Sequence, residues 1–293
     1  MTALYRYSKK TLMFFIVMLV IFNIWIFVFA IYEYSVSWGE NTSWCTEEQL
    51  LKPEQDSRRC VVMVHGFGGS PFDFKPLASQ LAKNGFLVRI PIMPGQTKDY
   101  LAYNRGKFTH AFFIKWLREI IKEEQERFGR KPYLIGFSMG ATLSTVLAAE
   151  DGIDKLVLIA PFYSLPKYHN ALVNFNKLFG FVLPVVPKLA SGQLYSKEGR
   201  NTYIPGTFLV SSLAFRQLNF LASEAIDVAP KLSIPTLIVA SRNDKVISFA
   251  KINELFSQHS NVTINEYPRS NHIMLYDYEC DAIIADVVSF CNE

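Results

Sequence analysis

Short apolar runs alternate with helical patterns along most of this chain, and this alternation restricts the fold more than any other feature. The predicted strands are Cys60–His65, Phe86–Ile90, Tyr133–Phe137, Leu156–Ala160, Thr236–Ala240 and Val262–Tyr267. The predicted helices are Pro76–Asn84, Ala111–Phe128, Met139–Glu150, Phe249–Gln258 and Asp281–Phe290. The first five strands are almost continuously apolar, as strands buried on both faces of a parallel sheet are. The pattern therefore predicts an α/β fold, a mostly parallel sheet flanked by helices.

Two stretches fall outside the alternation. Residues 33–57 are polar and lack periodicity, which predicts a tether that leads into a folded domain over 58–293. Residues from about 162 to 230 are rich in aromatic and aliphatic side chains and are interrupted by prolines. We interpret that stretch as a mainly helical cap inserted into the domain.

The N-terminal segment predicts a membrane anchor. No charged residue occurs in 11–32, and a helix needs about 20 apolar residues to cross a bilayer. Basic residues precede the segment and acidic residues follow it, so the positive-inside rule predicts a cytoplasmic N-terminus over 1–10 and an exported domain. The alternative is a signal peptide cleaved near Ala30, which would give a secreted protein.

Charge and cysteine content narrow the function further. The formal net charge is +4, and Arg6, Lys9 and Lys10 supply three of the positive charges. The rest of the chain is therefore nearly neutral, whereas a nucleic-acid-binding domain carries a basic face, so a nucleic-acid partner is not expected. No Cys/His spacing typical of a metal site occurs, and no cofactor is expected. Cys280 and Cys291 are too far apart on one helix to bond, which leaves a Cys45–Cys60 disulfide or free buried thiols as alternatives.

Three reactive side chains each follow a different predicted strand. Ser138 lies between Gly136 and Gly140 at a strand-to-helix junction, the pattern of a nucleophile elbow. Asp244 and His272 follow the last two strands. Because ligands bind at the carboxyl ends of parallel strands, we expect these three side chains to meet there. The histidine would take the serine proton, and the aspartate would fix the histidine tautomer.

Other acids and histidines are poorer candidates for the acid and the base of this site. Some lie at the ends where strands begin, one acid lies in or near the cap, and three histidines precede the acid in the sequence. The poorer candidates are Asp151, Asp154, Asp227, His65, His110, His169 and His259.

A glycine-rich loop follows the first core strand at 65–69. Its glycines could aim the amide of Phe67 at a developing oxyanion, with the amide of Met139 as the second donor. The supporting residues are His65, Gly66, Gly68 and Gly69. A phosphate-binding loop is excluded because the required glycine spacing and the Lys-Ser/Thr ending are absent. We expect His65 to brace this loop.

Four motifs in order resemble the α/β-hydrolase superfamily: HGFGG at 65–69, GFSMG at 136–140, SRNDKV at 241–246 and SNH at 270–272. The chain is similar over 58–292 to compact carboxylesterases and monoacylglycerol-lipase-like serine hydrolases. The resemblance implies a catalytic triad of Ser138, Asp244 and His272 with oxyanion donors at Phe67 and Met139. The chain departs from the family pattern before its first core strand, because the short stretch after the apolar segment leaves room for only short leading antiparallel strands, or none.

The resemblance implies a serine hydrolase that cleaves a carboxylic ester, with a small-molecule or lipid substrate. The apolar segment over 11–32, which is not part of the family pattern, predicts that this hydrolase is membrane-anchored. The aromatic cap favours a hydrophobic acyl ester. A peptidase or thioesterase with the same triad is an alternative, and a catalytically inactive membrane-tethered binding module is another from a different class.

Overall fold

The computed structural model describes residues 2–35, 39–54, 59–96, 107–166, 185–187, 190–207 and 209–293. Its contacts divide the chain into two units, Met1–Ser37 and Trp38–Glu293.

The first unit contains one helix, α1 (Thr2–Ser35). Its side chains are described over 9–25 and at Val28, and most of the apolar ones are exposed. Among the described residues, no helix combines the length and the apolarity that a membrane crossing needs. The transmembrane helix predicted over 11–32 therefore has no support from the structure.

The second unit is built on a seven-stranded sheet. In chain order, the strands of the unit are β1 (Gln49–Leu51), β2 (Cys60–Val64), β3 (Leu87–Ile90), β4 (Tyr133–Phe137), β5 (Lys155–Ile159), β6 (Val185–Pro187), β7 (Leu209–Ser211), β8 (Thr236–Ala240) and β9 (Val262–Glu266). The sheet order is β1-β3-β2-β4-β5-β8-β9, and β6 pairs with β7 separately. Every pairing in the large sheet is parallel except β1 with β3. The predicted mostly parallel α/β sheet is confirmed.

Helices surround this sheet. They are α2 (Thr42–Thr46), α3 (Lys75–Lys83), α4 (His110–Phe128), α5 (Met139–Ala148), α6 (Lys197–Thr202), α7 (Ser212–Val228), α8 (Phe249–Phe256) and α9 (Cys280–Asn292). Helix α4 begins where the Thr109 side chain accepts from the Phe112 amide, and it ends at Gly129 with φ of 62°. Helix α5 packs on β4 and β5, and α7 packs on α5.

The segment expected to be an irregular tether contains regular structure. It holds α2 and β1, and β1 pairs antiparallel with β3 through Gln49 opposite Ile90 and Leu51 opposite Val88. A three-residue edge strand is too short to produce a recognisable alternation, so only the exposed edge of β3 defines it. The predicted cap over about 162–230 is described only in part, where it holds α6, α7 and the β6–β7 pair.

The four cysteines, all among the described residues, are free thiols. The possible Cys45–Cys60 disulfide is therefore absent, and the Cys60 thiol instead donates to Glu124 Oε2 at 3.4 Å. Burial raises the pKa of Cys45 to about 11 and that of Cys291 to about 12. It raises the pKa of Cys280 to about 11, and that of Cys60 still further.

We expect these thiols to resist chemical modification in the native protein, because the thiolate is the reactive form and burial keeps it rare at pH 8. Titration with Ellman's reagent should detect few thiols before unfolding and all four in guanidinium. Detection of only two thiols in the unfolded, unreduced chain would show that a disulfide forms.

Candidate active site

Ser138 occupies a strained turn between β4 and α5. Its φ is 52° and its ψ is −116°, a conformation that non-glycine residues rarely adopt. Its amide donates to the Ile159 carbonyl at 2.9 Å, which ties the turn to the end of β5. A Cβ at Gly140 would lie 1.9 Å from the Val64 carbonyl oxygen, and one at Gly136 would lie 2.4 Å from the Ala141 Cα. Both glycines are therefore required by close packing, as the elbow pattern predicts.

The three side chains predicted at the strand ends form one hydrogen-bonded line. Ser138 Oγ lies 2.9 Å from His272 Nε2, and His272 Nδ1 lies 2.8 Å from Asp244 Oδ2. All three residues are buried, with exposed fractions of 6%, 4% and 5% for Ser138, His272 and Asp244. Because the carboxylate accepts from Nδ1–H, the Nε2 lone pair faces the serine hydroxyl.

Backbone groups fix the orientation of the Asp244 carboxylate. Its second oxygen, Oδ1, accepts from the amides of Val246 at 2.6 Å and Ile247 at 3.1 Å. Oδ2 therefore remains directed at the imidazole.

The structure places none of the competing acids and histidines that it describes in the hydrogen-bonded line of Ser138, His272 and Asp244. His65 braces a loop, His110 contacts Gln217, and the ring of His259 packs on Phe256. Asp151 bonds Lys131, Asp154 faces Arg59 at 4.0 Å, and Asp227 is exposed at the end of α7. His169 lies outside the described residues.

The oxyanion loop, residues 65–69, lies beside the nucleophile. A Cβ at Gly66 would be 3.3 Å from the Ser138 Cβ. His65 Nδ1 donates to the Gly66 carbonyl at 3.0 Å, and His65 Nε2 accepts from the Met93 amide at 2.9 Å. Both ring nitrogens of His65 thus hold backbone groups, in agreement with its expected role as a brace.

The loop amides on either side of Phe67 are bound to side chains. The Gly66 amide donates to Asp73 Oδ2 at 3.1 Å, and the Gly68 amide donates to Gln96 Oε1 at 2.5 Å. These two bonds set the backbone plane in which the Phe67 amide lies. The Met139 amide, the other predicted donor, opens α5 next to Ser138, where helix amides lack intrahelical partners.

Sequence reasoning missed the side chains that hold this loop. Gln96 follows β3 at the same edge of the sheet. Because ligands bind at the carboxyl ends of parallel strands, this position could have indicated that Gln96 lies at the site. Its Nε2 also donates to the Met139 sulfur at 3.8 Å, which links the oxyanion loop to the start of α5. Asp73 lies in the 3₁₀ turn Pro71–Phe74, and nothing in its local sequence distinguishes it from an ordinary turn acid.

Fold and site together define an α/β-hydrolase: reactive loops meet at the carboxyl edge of a mostly parallel sheet, with the serine on a strained elbow. Comparison with known families then places the chain more narrowly. It belongs to the serine aminopeptidase family S33, whose sequence profile matches residues 55–279.

Individual proteins are similar to the chain in sequence or in fold. The chain is 25% identical over 239 residues to a thermostable monoacylglycerol lipase of Bacillus sp. (strain H-257), covering 78% of this chain and 89% of the relative. A structure of the metagenome-derived lipolytic enzymes LipS and LipT matches with a TM-score of 0.73 at 20% identity, covering 84% and 97%. The monoacylglycerol lipase of Paleococcus ferrophilus matches with a TM-score of 0.69 at 20% identity, covering 83% and 96%. The predicted class, a serine hydrolase of the carboxylesterase and monoacylglycerol-lipase-like type, is confirmed.

Proposed function

We propose that this protein hydrolyses a hydrophobic carboxylic ester through an acyl-enzyme on Ser138. The observation that carries the proposal is the alignment of Ser138, His272 and Asp244 beside the oxyanion loop. The names of the relatives, monoacylglycerol lipase and lipolytic enzymes, agree with an ester substrate.

The first half of the reaction acylates the enzyme. His272 Nε2 accepts the Ser138 hydroxyl proton as Oγ attacks the ester carbonyl, at the 2.9 Å separation of the two atoms. The carbonyl oxygen becomes an anion, to which the amides of Phe67 and Met139 donate. The N-terminal dipole of α5 adds to this stabilisation. His272 then protonates the alcohol oxygen as the ester bond breaks.

The second half releases the acid. His272 removes a proton from water, the resulting hydroxide attacks the acyl carbonyl, and the same proton returns to Ser138 Oγ as the acyl bond breaks. In both halves the Asp244 carboxylate stabilises the imidazolium at 2.8 Å. The protein groups named are sufficient for this acyl transfer.

The preference for a hydrophobic ester comes from the aromatic cap sequence. Among the cap aromatics, Phe162 and Tyr163 are buried, and the Tyr163 hydroxyl bonds Thr145 at 2.7 Å, so these two pack the core. Phe220 is exposed at 44% and Phe215 is half-buried. Four further phenylalanines of the cap sequence lie outside the described residues: Phe175, Phe179, Phe181 and Phe208.

A substrate series tests the proposed reaction. p-Nitrophenyl esters of increasing acyl length, monoacylglycerols, an acyl thioester and aminoacyl p-nitroanilides would be compared at equal concentration. We expect kcat/KM to be highest for an ester and to rise with acyl length before reaching a plateau. Faster cleavage of an aminoacyl amide would instead favour the peptidase alternative, and absence of turnover of every substrate would favour the binding module.

We further propose that residues 11–32 attach the protein to a membrane, with 1–10 cytoplasmic and the catalytic domain exported. The absence of charge over 11–32 and the basic residues that precede this segment support the proposal. Alkaline carbonate should leave the protein in the pellet, and detergent should extract it with its N-terminus intact. Release by carbonate would contradict the anchor, and a mature chain that begins near residue 31 would indicate secretion after cleavage.

A further inference from the structure

Residues 192–207, here named the clamp, run from the end of a 3₁₀ turn (Ala190–Gln193) through α6 to Thr207. They fall within the stretch that the sequence assigns to a cap. Several of their hydrogen bonds, however, hold two loops of the active site. One is the oxyanion loop, and the other is the histidine loop, defined as residues 270–278.

The buried carboxylate of Asp277 in the histidine loop accepts from backbone amides of both the clamp and its own loop. Asp277 Oδ2 accepts from the amides of Tyr195 and Asn271, both at 2.9 Å. Asp277 Oδ1 accepts from the amides of Ser196 at 2.7 Å and Tyr278 at 3.0 Å. The residue is only 6% exposed, and a buried carboxylate needs such charge-assisted bonds to be tolerated.

The neighbours of His272 are held to the clamp on both sides. The Asn271 side chain donates to the Gly192 carbonyl at 3.1 Å, and the Ile273 amide donates to the Gln193 carbonyl at 3.1 Å. Asn271 Oδ1 also accepts from the amide of Lys245 at 3.0 Å, next to Asp244. The clamp therefore holds the backbone on both sides of the general base, and Asn271 connects that backbone to the loop of the acid. The clamp also reaches the acid loop directly, because the Tyr195 hydroxyl donates to the Asn243 carbonyl at 2.6 Å.

The other end of the clamp is joined to the oxyanion loop in the same manner. Asp73, 2% exposed, accepts the Gly66 amide on Oδ2 and the Tyr203 hydroxyl on Oδ1 at 2.8 Å. Burial, together with the Asp73 charge, raises the pKa of Tyr203 well above its ordinary value, so the phenol stays protonated and donates. The Thr207 amide donates to the Gly68 carbonyl at 3.1 Å.

We propose that the clamp is a fixed part of the catalytic frame and that Asp277 and Asp73 are positioning residues. Asp277 holds the backbone next to His272 in position, and Asp73 holds the orientation of the oxyanion-loop backbone. The inference rests on the proposed function, because the groups that these two residues position are the base and the oxyanion donors of that reaction. Displacing a reacting group by about 1 Å can lower the rate about 100-fold, so these remote bonds act on kcat.

The variant Asp277→Asn tests the role of Asp277. It preserves the shape of the side chain, but its NH₂ group replaces one oxygen that accepts from two backbone amides, so those two hydrogen bonds are lost. We expect kcat for a short p-nitrophenyl ester to fall about 10- to 100-fold with KM within a few-fold of wild type. The rate of fluorophosphonate labelling should fall by the same factor. Hydrogen exchange should accelerate in 192–196 and 270–278 and remain unchanged in 65–69.

Asp286→Asn is the matched control. Asp286 is an exposed carboxylate of α9 that accepts from Asn265 at 2.7 Å and from Tyr267, away from both loops. This variant should retain wild-type kcat and exchange in the clamp. Should Asp277→Asn fail to fold, Asn271→Ser carries the same expectation, because it removes only the side-chain bonds to Gly192 and Lys245.

The variant Tyr203→Phe tests the role of Asp73. It removes the hydrogen bond from the Tyr203 hydroxyl to Asp73 and changes no residue of the oxyanion loop. In this variant, hydrogen exchange should accelerate in 65–69 and 203–207 and remain unchanged in 270–278. The value of kcat should fall several-fold. Wild-type kcat in Asp277→Asn, or exchange that rises evenly through the whole sheet, would overturn the inference. If the wild-type protein neither turns over esters nor labels, the proposed function fails, while the regional exchange pattern still decides whether the clamp holds the two loops.

Discussion

Replacing Ser138 by alanine is expected to lower kcat for ester hydrolysis by about 10⁴-fold or more, because it removes the atom that forms the acyl-enzyme. The fold should persist. Alanine is smaller than serine, so it fits the site without a clash, and it meets the same backbone demand at φ of 52° as serine does. Steady-state turnover of a p-nitrophenyl ester, with thermal unfolding measured in parallel, separates loss of the nucleophile from loss of structure.

Ser144→Ala provides the matched control for that variant. Ser144 is a buried serine on the same helix, α5, and its hydroxyl donates to the Gly140 carbonyl at 2.7 Å. Its loss should leave kcat within a few-fold of wild type. More than a tenth of the wild-type activity in Ser138→Ala would exclude Ser138 as the nucleophile.

Asp244→Asn should lower kcat by about 10⁴-fold, the loss known for the equivalent change in another serine triad. The cause is that the two carboxylate oxygens of Asp244 have different partners. Oδ1 accepts from the amides of Val246 and Ile247, so an asparagine oxygen is held there. The asparagine NH₂ group then faces His272 Nδ1 and donates to it. The imidazole must carry its proton on Nε2, where it can no longer accept from Ser138.

The exposed acid Asp227, which the sequence offers as a competitor, serves as the control. Asp227→Asn should turn over ester at the wild-type rate and unfold at the wild-type temperature. Near-normal kcat in Asp244→Asn would mean that another group orients His272, and the assignment of the acid would be wrong.

The sequence predicts the centre of the sheet well because those strands are buried on both faces. Tyr133–Phe137 and Thr236–Ala240 are continuous apolar runs, and the structure has strands with the same bounds. Strand β1 was missed because its three residues sit at an edge and depend on β3 for pairing. Patterns within a segment reveal burial on both faces but not a partner elsewhere in the chain.

The same distinction separates the site residues that could be predicted from those that could not. Ser138, Asp244 and His272 each follow a strand, so topology alone brings them to one edge. Asp277 acquires its role from amides 82 positions earlier in the chain, at Tyr195, and Asp73 from a hydroxyl 130 positions later, at Tyr203. Such long-range bonds leave no local signal, because acidic residues are common in turns.

We propose that Ser138 is the catalytic nucleophile and that His272 activates it. The most direct measurement is peptide mass spectrometry of the protein after brief exposure to a fluorophosphonate probe. We expect one phosphonyl adduct per chain, located on Ser138, with its formation abolished in Ser138→Ala and strongly slowed in His272→Ala. Labelling at another serine, or equal labelling of the Ser138→Ala variant, would contradict the account.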